Sequence, residues 1–140
     1  MDSIVALPHA RAHVVRDGAS VPRGLRAPHA LVIGRSAHVH GAVHARGPVT
    51  LAAGAVVHGD LVAVGDVILG AGALVAGKLR AEGNVTLLDR AAVAGPLDAA
   101  ADALLRPGAR CGPIHVGGDL TLHAGARHGA LDVRGATRSA

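Results

Sequence analysis

The residues best able to do chemistry in this sequence are its ten histidines. Imidazole is the commonest zinc ligand, and its charge changes close to neutral pH. His38, His40 and His58 form the most suggestive group, because His58 follows His40 by 18 residues and His38 precedes it by two. If a fold returned to the same place every 18 residues, three imidazoles would share one surface and could hold a metal. No Asp or Glu is spaced to orient these rings, as bound histidines normally require. The expectation is therefore a solvated histidine cluster, with no metal and no cofactor. The hydroxyls are few (Ser3, Ser20, Ser36, Thr50, Thr86, Thr121, Thr137, Ser139), and none has a base and an orienting carboxylate at a usable spacing. Gly70-Ala71-Gly72 and Gly117-Gly118 lack the following helix that a phosphate-binding turn needs. No catalytic residue is assigned, and the chain reads as a non-enzyme.

The elements that must position these residues come from an internal repeat. From Gly18 to Gly135 the sequence aligns in rows of 18, starting at Gly18, Ser36, Gly54, Gly72, Arg90, Gly108 and Gly125. The last two rows each need one residue deleted, after Cys111 and after His128. Column two is Ala throughout, from Ala19 to Ala126, and column four runs Val21, Val39, Val57, Val75, Val93, Cys111, His128. Column eight is branched aliphatic at every row, from Leu25 through Leu61 to Leu131. Column sixteen begins at Ile33 and continues as Leu. Self-similarity at one fixed period marks a solenoid, in which no unit buries its apolar face alone.

Within each row, apolar residues alternate with a period of two, which belongs to strands. Gly recurs at columns six and twelve (Gly59, Gly65; Gly77, Gly83), marking two corners per row. The chain is thus expected to be all-β: a single-domain, three-sided parallel β-helix of about 18 residues per coil. Six and a half coils at the spacing of paired strands make a rod of roughly 30 Å. The Ala columns require a narrow interior, in keeping with 50% apolar content and no Phe, Tyr or Trp. The β-helix is expected over residues 18–135, with tails at 1–17 and 136–140. Pro22 and Pro28 lack ladder donors, which makes the first row a terminal coil.

Composition narrows the partners. One cysteine excludes a disulfide framework and points to a reducing compartment, hence the cytoplasm; Cys111 itself reads as a small core residue. No apolar run reaches the roughly 20 residues of a membrane span. The segment 1–17 mixes Ile4, Val5, Leu7, Val14 and Val15 with Arg11 and Arg16, so a contact with a membrane surface is conceivable there. The net charge of +4 is dispersed, and without aromatic stacking platforms nucleic acid is not an expected partner. Val56, Val62, Val64 and Ile68 fall at outward columns and are read as a lateral apolar patch. A β-helix also presents unpaired backbone at its terminal coils. Val21, Leu25 and Ile33 at one end, and His128, Leu131 and Val133 at the other, are the expected surfaces for end-to-end self-association.

The run Ile33-Gly34-Arg35-Ser36-Ala37-His38-Val39-His40-Gly41, with Gly59-Asp60-Leu61, Gly77-Lys78-Leu79-Arg80-Ala81 and Gly83-Asn84-Val85, resembles the bactofilins, polymer-forming cytoskeletal proteins of bacteria. The likeness covers about residues 30–135 and rests on the repeat more than on a point motif. It implies a right-handed three-sided β-helix with short tails that assembles end to end into nonpolar filaments without nucleotide. It also implies a scaffold for cell shape or for localising wall-modifying enzymes and other client proteins, in some members attached to the inner face of the cell membrane through the N-terminal tail. Two departures stand out. Bactofilins commonly carry an aromatic near the C-terminal tip, where this chain offers only His128, Leu131 and Val133, and the N-terminal segment lacks aromatic anchors. The same six-residue spacing also admits the left-handed hexapeptide β-helix of acyltransferases and γ-class carbonic anhydrases, with His38, His40, His58 or His115 at a trimer interface. A nonpolymerising interaction module is the third reading.

Overall fold

The computed structural model describes residues 4–7 and 12–139, and the side chains of residues 14–139. These residues form strands and turns with no helix, coiled as a solenoid of about seven turns. Three sheets of nine, seven and five strands run along its sides. Each of the first five rows supplies one strand to each sheet: in the third row these are Val56–Val57, Leu61–Ala63 and Val67–Leu69. Pairing is parallel from coil to coil, with Leu61 opposite both Val43 and Leu79.

The register carries the row length directly. Ala92 bridges Arg110 at an offset of 18, whereas Leu97 pairs with Ile114 at 17. Arg110 bridges Arg127 and Ile114 pairs with Leu131, again 17 apart. Both deletions therefore lie where the alignment in rows places them, at the corner between the five- and seven-stranded sheets. Beyond Ala92–Val93 that five-stranded side continues only as isolated bridges.

Alternation explains the interior. In the third row Ala55, Val57, Leu61, Ala63, Val67 and Leu69 are all fully buried, so six columns point inward. Each buried Val or Leu contributes about 1.5–3 kcal/mol. No polar or charged residue is buried among the described residues. The backbone groups are satisfied by the neighbouring coil, as where Val56 N–H donates to the Ala37 carbonyl at 2.9 Å and His58 N–H to that of Val39 at 2.8 Å.

The corners are built in two ways. At columns six and twelve the glycines keep ordinary backbone angles, and what they provide is room: a Cβ on Gly83 would strike the Asp66 carboxylate oxygen. The left-handed conformation appears instead at the column that starts each row. Gly18, Gly54, Gly72, Gly108 and Gly125 adopt it there, and so do Ser36 at φ 56° and Arg90 at φ 61°. The third corner is thus marked in the sequence as well, by a glycine that two rows replace.

The segment expected as an N-terminal tail differs. Ile4–Leu7 and Ala12–Val15 pair antiparallel, and Ala12–Val15 adds in parallel to Ala30–Ile33. Val15 is fully buried. It occupies column sixteen of an incomplete row, and its burial extends the apolar interior one layer past Ile33. Likewise Thr137–Ser139, expected as tail, pairs with Leu120–Leu122. Residues 1–3, 8–11 and 140, including Arg11, lie outside the described residues. The first row is consequently terminal in two sheets but not in the nine-stranded one.

Candidate functional site

The five-stranded sheet gathers the three histidines. Val39 and Val57 point inward and are fully buried, so alternation turns His38, His40 and His58 to the outer face. Parallel register sets His38 opposite Val56 and Val39 opposite Val57, and one residue further on His40 lies beside His58. Their backbones are pinned by ladder bonds of 2.8 Å from His38 N–H to Ala19, His40 N–H to Val21 and His58 N–H to Val39. His40 and His58 are exposed and His38 is half-buried.

The rings of His40 and His58 stack with centroids 4.5 Å apart and planes 5° from parallel. His38 lies 5.3 Å from His58 and 6.1 Å from His40 by the same measure. His38 Nδ1 and His58 Nε2 are 3.0 Å apart, a hydrogen bond in which one nitrogen carries the proton and the other accepts it. One ring nitrogen from each of the three falls within 4.8 Å of the others. Loss of solvent around the ring, followed by the neighbouring His40 and then His38, holds His58 below the ordinary histidine value of 6.5. The flanking rows place Ser20 and Leu74 in line with His38 and Val56, so no carboxylate occupies that column beside the cluster.

His115 lies on a different side. It sits in the seven-stranded sheet, with Asp98 opposite on one neighbouring strand and Asp132 on the other. His115 Nδ1 and Asp132 Oδ2 are 2.9 Å apart. Column nine thus reads Arg80, Asp98, His115, Asp132 in successive rows, an alternation of nitrogen donor and carboxylate that the column alignment already contains.

The surfaces expected for association divide. At the C-terminal end Leu131 is 41% exposed, His128 is exposed and Val133 half-buried, on coils with one neighbour among the described residues. The His128 imidazole turns out of the interior, and its Nδ1 donates to the Gly129 carbonyl at 2.8 Å. At the other end Val21 and Leu25 lie on edge strands, but Val21 is only 4% exposed, with its side chain inside. Ile33 is not at an end, because Ala12–Val15 covers it and leaves it fully buried. The lateral patch is not one surface. Val56, Val62 and Ile68 stand on the five-, seven- and nine-stranded sheets respectively. Val64, half exposed, joins Val62, Arg26, His44 and Arg46 around an open depression of about 400 Å³.

Sequence reasoning missed the Asp and Asn side chains that bond across the corners. Asp66 Oδ1 accepts from Asn84 N–H at 2.8 Å, Asn84 Oδ1 from Asp102 N–H at 3.0 Å, Asp102 Oδ1 from Asp119 N–H at 2.8 Å, and Asp119 Oδ1 from Ala136 N–H at 2.9 Å. Asp60 does the same for Lys78, and Asp17 for Arg35, at 2.9 Å each. For Asp66, Asn84, Asp102 and Asp119 the signal was present as an Asp/Asn run in column thirteen, whereas Asp60 and Asp17 lie outside it, in columns seven and eighteen. Cys111 is half-buried in its Val column, and burial pushes its thiol up to about 12, which removes it as a nucleophile near neutral pH. No helix among the described residues is long and apolar enough to cross a membrane. No family model, no curated protein and no solved structure matches the chain.

Proposed function

We propose that this chain is a structural scaffold whose rods join end to end into filaments without nucleotide, as the resemblance to the bactofilins implies. The observation that carries the reading is the C-terminal coil. Leu131–Val133 and Thr137–Ser139 are the outermost strands of the seven- and nine-stranded sheets, with one ladder partner each among the described residues. Their free edges offer a row of backbone donors and acceptors beside partly exposed Leu131 and Val133, the combination that strand addition uses. Two such ends meeting about a twofold axis would pair strand against strand and bury the same apolar residues from both sides, giving a nonpolar joint. The opposite end offers the edge strands Ser20–Val21 and Leu25–Ala27 beside the Ile4–Leu7 hairpin strand. In this reading the filament acts in the cytoplasm by holding other proteins in place, at the inner face of the membrane where the N-terminal segment contacts it. Acid–base or metal-assisted turnover plays no part in the reading.

Negative-stain electron microscopy of purified protein, with chelator and without nucleotide, tests it. Unbranched filaments a few nanometres wide are the expected result, at the width of one rod. A monodisperse monomer at every concentration tried would overturn the proposal in favour of an interaction module, and discrete trimers would favour the hexapeptide-type enzyme.

A further inference from the structure

We propose that His38, His40 and His58 form a binding site for one divalent transition-metal ion of the zinc class. The site belongs to a side of the rod, on the five-stranded sheet, and does not depend on the end-to-end reading.

The argument is geometric. A tetrahedral ion with Zn–N bonds of about 2.0–2.1 Å separates its nitrogen ligands by about 3.3 Å. Here one pair of ring nitrogens is already 3.0 Å apart, and all three fall within 4.8 Å. The remaining closure is about an ångström and a half at most, less than χ rotation moves the tip of an imidazole. His40 and His58 are exposed and free to make it. Their backbones need not move, since each is held by a 2.8 Å ladder bond above a fully buried Val39 or Val57. Ligands preset on a rigid sheet lose little conformational freedom on binding, which favours affinity.

The donor set selects the ion. Three imidazoles without a carboxylate suit Zn²⁺, Cu²⁺ or Ni²⁺ and give Ca²⁺ or Mg²⁺ none of the oxygen ligands they require. Binding replaces the His38–His58 hydrogen bond with two metal bonds, the proton of that bond moving to the other nitrogen of its own ring, and leaves a coordination position facing solvent. Because His38 and His40 come from one row and His58 from the next, the ion also staples adjacent coils.

The test is calorimetric titration of chelator-stripped, dialysed full-length protein with ZnCl₂, alongside the visible spectrum of its CoCl₂ complex. The expected result is one ion per chain, with cobalt bands of a four- or five-coordinate site. His38→Ala, His40→Ala and His58→Ala should each weaken zinc binding by roughly tenfold or more, while His44→Ala, on the seven-stranded sheet, leaves it unchanged. Zinc should also raise the melting temperature of the wild type and not of the triple variant, and His→Gln versions repeat the comparison if Ala alters the far-ultraviolet circular dichroism. Wild-type binding no tighter than that of the triple variant, or binding that survives His58→Ala, overturns the proposal.

Discussion

At the scale of single residues, the row-start corner separates two exceptions from a rule. Five rows use glycine at the left-handed position, whereas Ser36 and Arg90 hold it with a Cβ present. That conformation costs an L-residue roughly 1–2 kcal/mol, offset in part when glycine is substituted because glycine loses more freedom on folding. Arg90→Gly should therefore raise stability by about 1 kcal/mol, or about 3 °C in a thermal melt of a chain this size. Arg90→Ala keeps the Cβ and should gain nothing. Equal behaviour of the two variants would show that the backbone angle is not the source of the effect. The histidines make a complementary point. Each is an ordinary polar residue at an outward column; alternation puts His38 beside His40, and only the parallel register brings His58 to them.

At the scale of elements, what fixes six of the corners is a side chain bonded to the backbone of the next coil. Asp102 shows both sides of the contact, since its own N–H is taken by Asn84 while its Oδ1 accepts from Asp119. A Cβ on Gly118 would strike that same oxygen, so glycine and carboxylate at this corner are one device in two columns. Asp102→Ala should take from the Asp119 N–H its protein acceptor at this exposed corner and cost about 0.5–1.5 kcal/mol, measured by denaturant unfolding. Asp102→Asn retains an acceptor in the same place, as Asn84 does naturally one row earlier, and should cost well under half as much. A penalty for Asn as large as for Ala would mean that the charge, and not the hydrogen bond, holds the corner.

For the molecule as a whole, parallel pairing runs only between neighbouring coils among the described residues, so stability accumulates row by row toward two ends. Leu131 sits at such an end, 41% exposed in a rod whose other column-eight residues, Leu25 apart, are buried. Leu131→Asp should leave circular dichroism and melting close to wild type, because the side chain already meets water. In a filament the same charge would be desolvated against a partner at a cost of several kcal/mol. Loss of filaments in electron micrographs, with the fold retained, is the expected outcome; normal filaments would rule out the C-terminal coil as a joint.

The sequence by itself determined the β-solenoid, its 18-residue coil, the two shortened rows and the inward columns. All of these follow from a period-two alternation repeated in register, and a strand's faces are set locally. The tertiary structure alone decided the rest. Ala12–Val15 has no glycine corners before it, so nothing in its own row announced that it would stack on Ala30–Ile33 and bury Ile33. Val56, Val62 and Ile68 look adjacent along the chain and part company because the chain turns a corner between each. The column-thirteen Asp and Asn contacts and the converging histidine nitrogens depend on distances between coils, which a pattern along one chain does not contain. Their physical cause is the same: parallel stacking at the spacing of one hydrogen bond turns a separation of 18 residues into contact.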